Sequence, residues 1–258
     1  MALINLTNLF ATPLSSAAYV HSTNFKGSGK VSAFEQEGFE PQRDGFNTNP
    51  INSKFKTTKE IESIAKSNPR IMALLKEHNL PLKVNIKALN ELQKGHLAVT
   101  RTIAAKIYSA LPAELKKEVN LPELQQAAML HDYGKVLIPE KILGKAGSLN
   151  PDEKQVMELH SEFGYELLKS LGVSEGVLNL VKYHHQNSDK TGYPVADKDF
   201  EFSLSLQILE TADKYSALTE ERPYHSACTK EEALEIIKKD VESGLISQDV
   251  FDALVKNI

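Results

Sequence analysis

Five histidines and two aspartates in this 258-residue chain lie within or at the ends of segments whose apolar spacing predicts amphipathic helices. They are His96, His131, Asp132, His160, His184, His185 and Asp213. In the core of a helical bundle, imidazoles and carboxylates from different helices can converge on a pair of divalent metals. Because Cys228 is the one cysteine, His and carboxylate side chains would have to hold any metal.

The adjacent pair His131 and Asp132 is central to this pattern. Neighbouring residues on a helix point about 100° apart, so the pair cannot crowd one ligand position but can flank two metals. Asp132 is the candidate bridge, since its two oxygens can reach two ions. We expect this helix to end at Gly134, with Lys135 just beyond it, where an ammonium could meet a phosphate oxygen. The alternative is that Lys135 is an ordinary last-turn cation near helix carbonyls.

The rest of the chain from about residue 58 has helical periodicity and few strand signals, which predicts an all-α bundle. The predicted helices are 58–67, 70–79, 86–110, 113–119, 122–133, 151–171, 174–186, 203–219, 230–243 and 247–256. Asn150 with Glu153, and Thr229 with Glu232, are typical of helix-capping boxes. Residues 1–57 are rich in Asn, Ser, Thr and Gly without a sustained period, so we expect an irregular, partly disordered N-terminal tail.

Composition narrows the classes of partner. Thirty Lys and Arg residues against 34 Asp and Glu residues give a formal net charge of -4, which argues against a DNA-binding protein. No apolar stretch approaches the roughly 18 residues of a membrane span, and a single cysteine favours a reducing, cytoplasmic setting. The helices near 58–80 would favour a homodimer if they expose an apolar stripe.

Four segments in order resemble the HD-GYP domain, a branch of the HD phosphohydrolase superfamily. They are AAMLHDYGKVLIPEKIL, ELHSEFGYELL, YHHQNSDKTGYP and ETADKYSALTEERPYHSACTKEEAL. The resemblance covers about 90–258, within a predicted domain of 58–258. It implies an HD-domain helical bundle.

The resemblance also implies a dinuclear metal centre. The implied ligands of the first metal are His96, His131, Asp132 and Asp213, and those of the second are His160, His184 and His185 with Asp132 shared. Iron or manganese is the expectation for the family, and Ni, Co and Zn are compatible with these ligand types. Two such metals lower the pKa of a bound water and hold phosphate oxygens for displacement at phosphorus. Because family members hydrolyse cyclic di-GMP to linear pGpG, and some continue to GMP, the implied activity is a cyclic-dinucleotide phosphodiesterase.

The resemblance assigns further residues to the substrate. Lys135 and Arg222 are expected at the phosphates or guanine, Tyr193 beside a base, and His225 at a position that is usually basic. An equally weighted alternative is that Arg222 caps and orients its loop.

The sequence departs from the family pattern in this recognition region. Gln186, Asn187 and Lys190 replace the usual Glu, Arg and Gly. Neither Asn187 nor Lys190 reproduces the bidentate fork of an arginine, so substrate choice is open. The alternatives are another cyclic dinucleotide such as cyclic GMP-AMP, a nucleotide phosphomonoester, or a catalytically weak ligand-sensing module.

Overall fold

The computed structural model describes residues 58–85, 95–220 and 227–258, and in these ranges the regular structure is helical. The α-helices are α1 (Thr58–Ser67), α2 (Pro69–Glu77), α3 (His96–Ala110), α4 (Ala113–Lys116), α5 (Leu121–Leu130), α6 (Glu140–Leu143), α7 (Pro151–Lys169), α8 (Glu175–Tyr183), α9 (Leu204–Thr219), α10 (Lys230–Glu242) and α11 (Gln248–Asn257), with a 3-10 helix (Tyr133–Leu137) between α5 and α6. The predicted all-α class is confirmed. None of the described helices is both long and apolar enough to cross a membrane.

Several helices begin where a short polar side chain can cap them. Both predicted capping boxes are present: Asn150 and Glu153 at the start of α7, and Thr229 and Glu232 at the start of α10. In each box the first side chain accepts a hydrogen bond from the backbone N–H three residues later, and the glutamate accepts one in return. These starts depend on local chemistry, which is why the sequence predicts them.

The predicted end of the helix 122–133 is wrong. Helix α5 ends at Leu130, and Asp132 has left helical geometry, with φ -91° and ψ 6°. The chain then tightens into the 3-10 helix, so Lys135 lies inside that helix and is buried, rather than just beyond an α-helix. The predicted helix 174–186 also ends early, at Tyr183. The predicted residues 86–94 lie outside the described ranges.

The bundle core forms around α3, which packs against α5, α9 and α11. Apolar side chains on these four helices are fully buried, among them Ile107, Leu124, Leu209 and Leu254. Helix α7 packs against the 3-10 helix and α8, and α8 packs against α5. The C-terminal ends of α5 and α8, where His131 and His184 follow, are thereby buried in the bundle.

The 3-10 helix touches α7 at two glycines. A Cβ atom added to Gly134 would lie 1.9 Å from the carbonyl oxygen of His160 and 2.4 Å from the backbone nitrogen of Gly164. Backbone on both sides occupies this space, so a side chain cannot be accommodated by a rotamer change. Gly134 therefore sets how closely Asp132 and Lys135 approach His160.

Gly134→Ala should destabilise the protein strongly, by about 3 kcal/mol or more, because two backbones must move apart. Gly164→Ala is the matched control. Its new Cβ would lie 3.1 Å from the Val181 side chain and 3.3 Å from the backbone nitrogen of Gly134, a much smaller overlap than at Gly134. The gain in helix propensity offsets part of that crowding. Urea denaturation of both variants checks this. Equal losses of stability would contradict the argument.

Candidate metal centre

The structure brings the seven predicted His and Asp residues together in the bundle core. His96 is the first residue of α3, His160 lies within α7 and Asp213 lies within α9. The other four follow the ends of α5 and α8, as His131, Asp132, His184 and His185. His131, Asp132, His160 and His184 have no solvent exposure, and His185 is half-buried.

Three of the histidines have the same anchor on one ring nitrogen. The Nδ1 atoms of His131, His160 and His184 lie 3.0, 2.7 and 2.7 Å from the carbonyl oxygens of Ala128, Met157 and Val181, three residues earlier. A carbonyl oxygen can only accept, so each Nδ1 must carry the proton. Each Nε2 then offers a lone pair to the interior.

These lone pairs face other acceptors. The Nε2 atoms of His160 and His184 are 3.2 Å apart, and neither has a proton left to share. His131 Nε2 is 3.4 Å from an oxygen of Asp213 and 3.5 Å from one of Asp132. In the described part of the chain, His131 Nε2 and Asp132 Oδ1 are buried without hydrogen-bond partners. Buried acceptors that converge in this way fit bound cations.

The donor atoms form three overlapping groups, in each of which all the atoms lie within 4.8 Å of one another. The groups are His96–His131–Asp213, His131–Asp132–His184 and His160–His184–His185. Asp132 turns Oδ2 toward His131 and Oδ1 toward His160, at 3.5 Å each. Ligands about 2.0–2.2 Å from a common ion are separated by roughly 3 Å, so these spacings fit metal coordination.

Lys135 provides the positive charge nearest to Asp132. Its ammonium donates a hydrogen bond to Asp132 Oδ2 at 2.7 Å, and both side chains are buried. Burial alone would raise the pKa of Asp132, but the opposing charge of Lys135 is the largest influence that lowers it, and the pKa is held well below its usual range. Asp132 is therefore an anion deep in the core.

Burial also determines the charge of the three histidines nearest α7 and α8. It lowers the pKa of His160 to about 4 and that of His185 to about 3. The pKa of His184 is lowered as well, by burial and by the neighbouring His185. These imidazoles are neutral at pH 7, as metal ligands must be.

His96 has a different environment. Its Nε2 is 2.7 Å from Asp213 Oδ1, and its Nδ1 is 3.0 Å from Ser216 Oγ and 3.4 Å from Glu220 Oε2. Burial acts to lower the pKa of His96, but the neighbouring carboxylates of Asp213 and Glu220 raise it to about 9. A metal at Nε2 would displace a proton from this nitrogen.

Comparison with known proteins identifies the fold. The family model for the HD domain matches residues 70–250. The chain belongs to the HD domain family. HD-domain phosphohydrolases are metal-dependent, and the family predicted from the sequence motifs is confirmed.

The chain matches curated relatives over part of their length. The chain is 35% identical over 133 residues to "3'3'-cGAMP-specific phosphodiesterase 3" of Vibrio cholerae. This alignment covers 52% of this chain and 29% of the relative. It is 35% identical over 141 residues to "Cyclic di-GMP phosphodiesterase" of Thermotoga maritima, which covers 54% and 38%. The chain thus spans about a third of the length of these relatives. The solved HD domain of the L. monocytogenes phosphodiesterase PgpH aligns with a TM-score of 0.48 at 16% identity, over 65% of this chain and 95% of that domain.

The loop 186–194 of this HD domain borders the cluster. Tyr193 lies against His185 and His160, with ring centroids 4.7 and 6.1 Å apart. Its backbone N–H donates to the carbonyl of His185, and a Cβ on Gly192 would lie 2.1 Å from that same oxygen. Tyr193 is therefore positioned by a close backbone contact.

Two other residues predicted to bind substrate, Arg222 and His225, lie outside the described residues. Two of the three replaced loop positions have clear structural roles: Asn187 donates a hydrogen bond to Thr191, and Lys190 has a positive φ of 64°. Lys190 therefore adopts the conformation that suits the usual glycine, at a cost of roughly 1–2 kcal/mol.

Gln186 holds this loop together, which sequence reasoning missed. Its buried side-chain oxygen accepts hydrogen bonds from the backbone N–H groups of Asn187 and Gly192, and its amide nitrogen donates to the carbonyl of Pro194 at 2.6 Å. A carboxylate could accept the first two bonds but could not donate the third. The signal in the sequence was that Gln186 has an amide where the family usually has the carboxylate of a glutamate.

Ser216 and Glu220 were also missed, although they follow Asp213 at three and seven residues. That spacing places all three on one face of α9. Glu210, one turn before Asp213, was also missed. Its Oε2 is buried and has no hydrogen-bond partner in the described ranges. Burial raises the pKa of Glu210 to about 8, reduced by Lys214 and reinforced by Asp240 and Asp213.

Gln186→Glu should lower the free energy of unfolding by about 1–3 kcal/mol, because a buried carboxylate would face the Pro194 carbonyl without a donor. Chemical denaturation measures this, with Gln155→Glu on the exposed face of α7 as the control. Unchanged or increased stability of Gln186→Glu would show that the two accepted bonds are sufficient.

Glu210→Gln should stabilise the protein at neutral pH when divalent metals are chelated. Between pH 4.5 and 8 the unfolded chain releases the Glu210 proton while the folded protein keeps it, so stability is lost as pH rises. The glutamine variant lacks this loss and should be about 1–3 kcal/mol more stable at pH 7. At pH 4 the two proteins should match. Urea midpoints at both pH values test this, and an equal gain at pH 4, or a gain in the exposed control Glu235→Gln, would contradict it.

Proposed function

We propose that this chain is a metal-dependent phosphodiesterase that hydrolyses a cyclic dinucleotide. The observation that carries the proposal is the buried His and Asp cluster whose Nε2 and carboxylate acceptors converge without protons to share. Relatives named as cyclic di-GMP and 3'3'-cGAMP phosphodiesterases support it.

The proposed ligands divide into two sets that share Asp132. One set is His96, His131, Asp132 and Asp213, and the other is Asp132, His160, His184 and His185. Iron or manganese is proposed first, while Ni, Co and Zn suit the same ligand types. When bound, such ions supply a water of lowered pKa and positive charge for phosphate oxygens.

Lys135 is the proposed catalytic partner of Asp132. Its buried ammonium keeps Asp132 ionised and oriented, and it can turn toward a phosphate oxygen of the substrate. In the hydrolysis, a water oxygen forms a bond to phosphorus, one ester P–O bond breaks, and the leaving sugar oxygen takes a proton. A protein nucleophile is not needed for this displacement.

Substrate recognition is proposed for the loop beside the cluster. The Tyr193 ring could stack on a base, and Arg222 and His225 are proposed to contact the phosphates or guanine. Cyclic di-GMP, cut to pGpG and further to GMP, is the first candidate. Cyclic GMP-AMP is the second, because a relative carries that specificity in its name and because residues 186–190 depart from the family pattern.

The proposed catalytic unit is residues 58–258, in a reducing, cytoplasmic setting. The predicted N-terminal tail, 1–57, lies outside the described residues. Helices α1 and α2 pack on α7, where Asn68 donates to Glu166 and Arg70 pairs with Glu162. A homodimer through these helices stays a prediction.

Asp132→Asn should reduce turnover at least about 100-fold while the fold is retained, because the bridging charge is lost with little change in shape. The purified chain is loaded separately with Fe(II) and Mn(II). It is then incubated with cyclic di-GMP, cyclic di-AMP, cyclic GMP-AMP isomers and a nucleotide monophosphate. Chromatography detects a linear dinucleotide or mononucleotide. Asp199→Asn, an exposed aspartate, is the matched control.

Hydrolysis that requires Asp132 but not Asp199 supports the proposal, and the best substrate identifies the messenger. If two metals bind per chain and no cyclic dinucleotide is cut, the phosphodiesterase proposal fails. Ligand-dependent partner binding that survives Asp132→Asn would then favour a sensing module.

A further inference from the structure

His96 obtains its Nδ1 partner differently from His131, His160 and His184. Those three each follow a helical turn whose carbonyl, three residues back, accepts the Nδ1 proton. His96 is the first residue of α3, and among the described residues the side chains that contact its Nδ1 are Ser216 and Glu220.

Ser216 lies in the last turn of α9, and Glu220 is the residue that caps the C-terminal end of this helix. The Ser216 hydroxyl donates its proton to Glu220 Oε1 at 3.1 Å, and its oxygen is 3.0 Å from His96 Nδ1. Since a hydroxyl has one proton, Ser216 can only accept from His96, which places the proton on Nδ1. Glu220 Oε2 lies 3.4 Å from the same nitrogen and is buried without a hydrogen-bond partner among the described residues.

One side of α9, together with its C-cap residue, thus contacts both nitrogens of the His96 ring. Asp213 lies at Nε2, while Ser216 and Glu220, three and seven residues later, lie at Nδ1. The His96 side chain is 1% exposed and that of Glu220 19%, so solvent screens this contact weakly.

We infer that Ser216 and Glu220 are positioning residues that orient His96 and strengthen its binding of a divalent cation through Nε2. This inference rests on the proposed metal centre. A carboxylate that accepts, directly or through a hydroxyl, the Nδ1 proton of a ligating histidine fixes its tautomer and makes Nε2 a better ligand. One of the two proposed metal positions therefore depends on a carboxylate outside the ligand set.

The test is a titration of the full chain with Co²⁺, followed by its visible absorption and by competition with a chelator. In Glu220→Gln and in Ser216→Ala, one of the two Co²⁺ ions should bind about 10–100-fold more weakly, with a changed absorption band. The other ion, held by His160, His184 and His185, should keep its affinity. Glu220→Gln has nearly the shape of the native side chain, which limits any effect on folding.

Two control variants match the changes in chemistry. Glu166→Gln removes a half-buried carboxylate that accepts a hydrogen bond from Asn68, and Thr211→Val removes a buried α9 hydroxyl that donates to the carbonyl of Gln207. Both should bind two Co²⁺ ions as the wild type does. Thermal melts of the chelated proteins show whether each variant is folded.

Selective weakening of one ion in Ser216→Ala and Glu220→Gln, but not in the controls, supports the inference. Unchanged affinities and spectra, or equal weakening of both ions, would overturn it. If the wild type binds fewer than two Co²⁺ ions, the proposed metal centre fails and the inference with it. Wild-type Co²⁺ binding without any turnover would overturn only the proposed phosphodiesterase activity.

Discussion

A neutral imidazole has two nitrogens and one proton, and the position of that proton decides what the other nitrogen can bind. In this HD domain, backbone carbonyls of the helices accept hydrogen bonds from the Nδ1–H groups of His131, His160 and His184. Their Nε2 lone pairs are thereby directed inward before any ligand arrives. A buried group of hydrogen-bond acceptors without donors is unfavourable by itself. A cation that these acceptors could bind would therefore stabilise the core of the bundle.

Backbone proximity makes this arrangement possible. The contact between Gly134 and α7 brings Asp132 and Lys135 against His160 without intervening side chains. On the other side of the cluster, the Gln186 amide closes the loop that presents Tyr193. In both places the position of a polar side chain near the cluster follows from main-chain atoms, which keeps its geometry well defined.

The sequence predicted the parts of this structure that depend on local chemistry. The all-α class and the starts of α7 and α10 follow from periodicity and capping residues such as Asn150 and Thr229. The helix predicted to run through residue 133 ended early because the packing of Gly134 against α7, a contact between distant segments, shapes the turn after Leu130.

The candidate site divides in the same way. The seven His and Asp residues could be found from their types and order along the chain. Gln186 and Glu220 could not, because their roles depend on partners that only the fold brings close, namely the Pro194 carbonyl and the His96 ring.

The two kinds of Nδ1 anchor differ in how mutation can affect them. Every amino acid has a main-chain carbonyl, so no substitution at Ala128, Met157 or Val181 deletes the anchor that it provides. Ser216 and Glu220 act through side chains, and a single substitution can remove either. Over evolutionary time, single substitutions can therefore change the orientation of the His96 imidazole. The orientation of the other three imidazoles is fixed by the helical backbone.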